Sequence, residues 1–162
     1  MAFRDRAELD AFTAWGERQR EAMAHHVRTA SLFAGDIVAK AVWTLPHRIF
    51  LGRVWPKGDA LRGYWVITGE LVPTDHIEAS LAENARDAAR HFALKWQLQS
   101  ARMAELAEAP ADAVQRSGTV EWRAVADRLR VQAEGLYAIA SDPEPWKPTA
   151  GPLIEEPGDG AT

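Results

Sequence analysis

Cysteine is absent from the chain, which excludes disulfide scaffolds, thiolate zinc sites and cysteine nucleophiles together. A basic excess is absent too, since 19 Lys and Arg face 23 Asp and Glu for a net charge of −4. Phosphate contacts supply most nucleic-acid affinity, so a chain without a basic stripe predicts no nucleic-acid partner. No apolar run approaches the roughly 18 residues that a bilayer-crossing helix needs. The opening MAFRDRAELDAF mixes acids with its arginines and lacks the apolar stretch of a secretory signal. No membrane contact is expected, and the cytoplasm is the expected compartment. The sequence also has no Gly-x-Ser-x-Gly elbow, no phosphate loop, no His-Glu-x-x-His and no Gly-x-Gly-x-x-Gly. The commonest hydrolases, kinases and dehydrogenases therefore leave the front rank.

What is there describes a globular protein. A length of 162 residues is one domain's worth, and 47% hydrophobic with 26% charged residues excludes wholesale disorder. Residues 1–141 hold 18 basic and 18 acidic groups. Residues 142–162 carry the whole deficit, with Lys147 alone against Asp142, Glu144, Glu155, Glu156 and Asp159. Their proline and glycine content adds to that acidity and predicts a tail over 147–162 that does not pack by itself. The expected organisation is one domain over 1–146, with Trp146 pinning the first part of the tail.

Apolar spacing then places the elements. Leu9, Phe12, Trp15, Gln19, Met23, His26 and Val27 recur every three or four residues and predict a helix over 4–30. From Ile37 to Gly69 the pattern turns to dense Trp, Val, Ile, Phe and Tyr punctuated by Pro and Gly. IFLGRVW (49–55) and GYWVITG (63–69) read as strands, and IVAKAVW (37–43) as a third strand or a short buried helix. Residues 70–80 read as a connection carrying two overlapping helix-start signals, Asp75 with Glu78 and Ser80 with Glu83. A second helix follows, striped by Leu81, Ala85, Ala88, Phe92, Trp96, Met103 and Leu106, and stops near Pro110. After a spacer over 110–118, a third helix from about Thr119 to Ala140 is expected to bury Trp122, Val125, Leu129, Ala133, Leu136 and Tyr137. The fold class is α+β: a small antiparallel sheet of two or three strands, one face covered by three helices.

The most distinctive stretch is GYWVITGELVPTDHI. Gly63, Trp65, Ile67, Gly69, Leu71, Pro73, Thr74, Asp75 and Ile77 in it resemble the core motif of an uncharacterised bacterial family, domain of unknown function 4826. Tyr64, Glu70 and His76 depart from the family's Trp, Asp and Tyr, and Val72 is a one-residue insertion. Trp15 with Gln19-Arg20, Trp43 with Pro46, Trp55, and Arg86 to Phe92 ending in Trp96 extend the likeness. The resemblance implies a small α+β protein and no established activity.

Two sets of residues are candidates for function. Asp75-His76, with Glu70 nearby, offers carboxylates beside an imidazole, the material of a general acid–base pair or of metal ligands. The everyday use of Asp75 is a helix cap, and a Tyr in the family pattern at His76 argues against an obligatory imidazole ligand. His26 lies in the apolar stripe of the first helix, while Glu21 one turn before His25 explains that neighbour by an ion pair. No metal and no cofactor is expected. The second set is Arg48, Arg53 and Arg62 around the hairpin, with Trp55 at its strand end, the one of seven tryptophans expected to be partly exposed. Tryptophan and arginine are the usual anchors of protein interfaces.

These residues support a non-enzymatic protein-binding module of immunity or accessory type, whose partner is another protein. The alternative is a small hydrolase or metal-dependent enzyme at the Pro73-Thr74-Asp75-His76 loop, with Glu70, Asp75 and His76 as its groups. Oligomeric state is not legible.

Overall fold

Asp5 starts the first helix: its side chain accepts a hydrogen bond from the Glu8 backbone N–H at 2.9 Å, satisfying a donor that the first turn leaves free. In the computed structural model, which describes residues 3–108 and 119–148, helix α1 spans Arg6–Thr29. It buries Trp15, Gln19, Met23 and Val27, one side chain per turn. Of the remaining stripe, Phe12 and His26 are half-buried.

Four antiparallel strands follow in sheet order β1-β2-β3-β4: β1 Ile37–Leu45, β2 Ile49–Pro56, β3 Tyr64–Gly69 and β4 Asp75–Glu78. IVAKAVW is therefore a strand. The expected two or three strands become four because Asp75–Glu78, read from sequence as a helix start, pairs with β3 instead. Helix α2, Ala85–Ala107, is capped by Asn84, whose side chain accepts from the Asp87 N–H at 2.9 Å. Neither Asp75 nor Ser80 caps a helix. Gly69 ends β3 at φ +139, where a side chain would run into the Arg48 carbonyl.

The helices do not share one face, which corrects the expected arrangement. Helix α1 packs on one side, where Trp15, Met23 and Val27 meet Phe50, Val54 and Val66. Helices α2 and α3 (Thr119–Ser141) cover the other, where Ile49, Leu51, Trp65, Ile67 and Ile77 meet Ala88, Ala89, Phe92, Trp96 and Leu136. A sheet covered on both faces explains why β2 opens as four consecutive buried residues rather than an alternation. Strand β1 serves both sides through a bulge: the register slips between Ala41 and Trp43. Ile37, Ala39 and Ala41 consequently face α1, while Trp43 and Leu45 face α2 and α3.

Along α3 the buried positions are Ala126, Leu129, Ala133, Leu136 and Ala140. Alanine a heptad apart lets α2, which offers Ala85, Ala88, Ala89 and Ala93, approach closely. Trp122, Val125 and Tyr137, expected in this stripe, are instead exposed at 43%, 44% and 55%. Leu81 and Leu106 are likewise exposed on the second helix's expected stripe. After α3, the turn Glu144–Trp146 brings Trp146 back onto Trp43. The spacer 110–118 and all of the predicted tail except Lys147 and Pro148 lie outside the described residues. Among the described residues no helix is long and apolar enough to cross a membrane.

Candidate functional site

Strand β4 is the sheet's edge, and its two-residue period sends neighbours to opposite faces. Asp75 lies opposite Ile67 in the pairing register and His76 opposite Val66. Asp75 consequently faces α2 and His76 faces α1. Around the open edge of so short a strand, the two side chains still draw together with a third residue. His26, in the last turn of α1, places Nε2 2.8 Å from Nδ1 of His76. One nitrogen from each imidazole and one Asp75 carboxylate oxygen all lie within 4.8 Å of one another.

Asp75 is held from several directions. Its Oδ1 accepts from Lys95 Nζ at 2.9 Å and from the His76 backbone N–H at 2.8 Å. Its Oδ2 accepts from the indole N–H of Trp96 at 2.8 Å. Lys95 also donates to the His76 carbonyl at 3.1 Å, so one ammonium ties α2 to both the side chain and the backbone of β4. Burial pushes the His26 and His76 imidazoles below the ordinary histidine range, against the raising pull of the Asp75 carboxylate. The ring of Tyr64 stands edge-on to His76 at 5.4 Å. On its other side Asp75 lines an open cleft of about 330 Å³ between Pro73, Thr74 and the helices, where Gln99, Arg128 and Gln132 supply the polar wall.

Glu70 is not part of this cluster. It is exposed, and its backbone N–H is tied to the Arg48 carbonyl in the connection after β3. Asp75 carries an ammonium and two N–H donors on its two carboxylate oxygens. Its arrangement suits holding charge in place.

The Trp/Arg set is spread along β2. Arg48 precedes the strand, five residues from Arg53, which at roughly 3.3 Å per residue is about 16 Å. Arg62 is exposed in the loop between β2 and β3, near the opposite end of the strand from Arg48. Arg53 and Trp55 do share a surface. Arg53 pairs with Lys40 and Trp55 with Val38 across β1–β2, and the Arg53 guanidinium lies 5.2 Å from the Trp65 ring centre. Lys40 is exposed, while Val38, Arg53 and Trp55 are half-buried. These four side chains belong to neither core cluster.

The family described as domain of unknown function (DUF4826) matches residues 10–146. The chain belongs to that family. No curated protein and no solved structure matches it. Membership fixes a shared domain that spans α1 through the Trp146 turn, and with it both residue groups above; it brings no activity.

Sequence reasoning paired Asp75 with His76 but did not bring His26 together with both. Fifty residues separate His26 from His76, and only the meander that makes β4 the strand beside β3 brings the last turn of α1 to it. Lys95 and Trp96 were missed as partners of Asp75. Their one available signal was that Trp96, on a helix stripe, needs an acceptor for its N–H. Lys40 was missed because its significance depends on lying opposite Arg53.

Proposed function

We propose that the protein is a non-enzymatic, cytoplasmic binding module of immunity or accessory type, which docks an acidic segment of another protein on the open end of its sheet. The observation that supports this reading is the surface of Lys40, Arg53, Val38 and Trp55, an aromatic side chain flanked by cations outside both cores. Interface anchors have this composition, with aromatic and guanidinium groups at the centre and charge that selects the partner. Arg62, from the neighbouring loop, adds a further cation, whereas Arg48 at the far end of β2 takes no part. The donors that occupy both Asp75 oxygens, and a cluster of His26, Asp75 and His76 that does not include Glu70, weigh against the hydrolase alternative.

The test is site-specific. A photo-crosslinking residue placed at Trp55 is expected to capture one acidic protein from cell extract, while the same group at Leu94 on the outer side of α2 captures none. Lys40→Glu and Trp55→Ala are expected to weaken the purified pair by at least about 1 kcal/mol each, and Arg48→Ala to leave it unchanged. A partner retained at full affinity by both Lys40→Glu and Trp55→Ala would refute the assignment.

A further inference from the structure

We propose that His26 Nε2, His76 Nδ1 and one carboxylate oxygen of Asp75 form a binding site for one divalent transition-metal ion of the zinc class. The three ligand atoms come from α1 and β4, two elements fixed by separate cores, and they already lie within 4.8 Å of one another. A tetrahedral zinc ion with bonds of about 2.0–2.1 Å holds its ligands about 3.3 Å apart. The two imidazole nitrogens, at 2.8 Å, need to separate by about half an ångström to reach that spacing.

The donor set selects the ion. Two imidazoles with a single carboxylate suit zinc, cobalt, nickel or copper and offer too few oxygens for calcium or magnesium. Both rings can ligate: His26 Nδ1 and His76 Nε2 make no hydrogen bond among the described residues, so each can carry the N–H while its partner nitrogen gives a lone pair. Burial supports the neutral imidazoles that ligation requires. A metal ligand also needs an outer group to fix it, and the Trp96 N–H does that for Asp75 by holding Oδ2 at 2.8 Å.

Lys95 marks the electrostatics of the place. Its ammonium sits 2.9 Å from Asp75 Oδ1, so the pocket already stabilises a cation beside this carboxylate. The lysine side chain is 34% exposed, and its flexible stem lets the ammonium swing into solvent when an ion enters. Three protein ligands leave one coordination position open to water or to a ligand atom from outside. This site straddles the β4 edge of the sheet, between α1 and α2, and shares no residue with the docking face.

The test uses the untagged full-length protein, stripped with chelator and titrated with Co²⁺ and then Zn²⁺. One Co²⁺ per chain with the intense visible absorption of a four-coordinate ion is expected, displaced stoichiometrically by Zn²⁺. His26→Gln and His76→Gln are each expected to weaken binding by at least about 100-fold, more than loss of an outer-shell partner costs. His25→Gln, next door and exposed, is expected to leave it unchanged. Lys95→Met is expected to tighten binding by about tenfold, since it removes a competing charge near the ion. Circular dichroism of each variant separates loss of ligand from loss of fold. The proposal is overturned if wild-type protein takes up no stoichiometric cobalt, if a folded His26→Gln variant binds as well as wild type, or if Lys95→Met does not tighten binding.

Discussion

The indole of Trp146 lies almost flat on that of Trp43, with ring centres 4.0 Å apart and planes 16° from parallel. Trp43 donates its N–H to the carbonyl of Pro145, the residue before Trp146, at 2.8 Å, and Trp146 donates its own to the Ile139 carbonyl near the end of α3 at 2.9 Å. The stack thus clips the end of α3 to β1, two elements roughly a hundred residues apart.

Truncating this clip is expected to be costly. Trp146→Ala removes a half-buried ring, its stack and one hydrogen bond, and is expected to lower stability by about 2–3 kcal/mol. Trp146→Phe keeps an aromatic face on Trp43 and is expected to cost about 1 kcal/mol, mainly for the lost hydrogen bond. Urea unfolding followed by circular dichroism reads both. A Trp146→Ala loss below half a kcal/mol would show that the contact is incidental.

Asp75 offers a second comparison. As a helix cap it would cost about 1 kcal/mol on truncation. As the acceptor for Lys95, Trp96 and the His76 N–H it is expected to cost about 2–3 kcal/mol in Asp75→Ala, because a buried indole N–H and an ammonium lose their partner. Asp75→Asn keeps an acceptor for Trp96 and is expected to fall between wild type and Ala. Asp75→Ser, a good cap, is expected to be nearly as damaging as Ala, and denaturant midpoints decide between the two roles.

These residues also show what the sequence could and could not disclose. The α1 stripe was readable because Trp15, Gln19, Met23 and Val27 repeat at the helical period, and β2 and β3 because glycine and proline bound them. β4 was not, since four residues with one apolar member, Ile77, carry too little alternation to compete with the capping signals around them. The position of α1 on the opposite face from α2 and α3 was hidden for a related reason. Sandwiching turns β2 into an unbroken buried run, which does not say which helix lies on which side. Trp122 and Tyr137 misled because helical spacing gives a stripe without giving its width. The small alanines that set the α2–α3 distance decide which neighbours are left outside. The His26–His76 contact depends on all of this at once, and no local pattern encodes it.

The two imidazoles give the metal-free protein a definite pH dependence. Both folded-state pKa values lie below the 6.5 of an unfolded histidine, burial being the first cause and the Lys95 charge a further one, opposed by Asp75; His25 adds to the lowering at His26, and His26 to that at His76. Above pH 6.5 neither state binds these protons and stability is flat with respect to them. As pH falls through 6.5 the unfolded chain takes up protons that the native pair refuses, so stability drops until the lowered native values are reached. Unfolding midpoints measured from pH 8 to 5 are expected to decline over that window. His26→Gln together with His76→Gln is expected to flatten the part of the decline that begins near 6.5, and an unaltered slope in the double variant would assign it to other groups.

The last expectation concerns Gly52, where β2 passes under α1. A methyl group added there would meet the Lys40 carbonyl oxygen at 2.5 Å and the Met23 Cε at 2.5 Å. Met23 is fully buried, so its end cannot simply swing into solvent, and the carbonyl belongs to the paired neighbouring strand. Gly52→Ala must therefore push α1 away from the sheet or open the β1–β2 ladder at the residue before the bulge. Overpacking of this kind costs about 1–3 kcal/mol. Met23→Ala makes room for the new methyl against one of the two obstacles but leaves the carbonyl clash. The double variant Gly52→Ala, Met23→Ala is accordingly expected to lose less than the sum of the two single losses, by about 0.5–1 kcal/mol, as neighbours sharing one space do. Strict additivity would place the whole clash on the strand backbone and none on the helix.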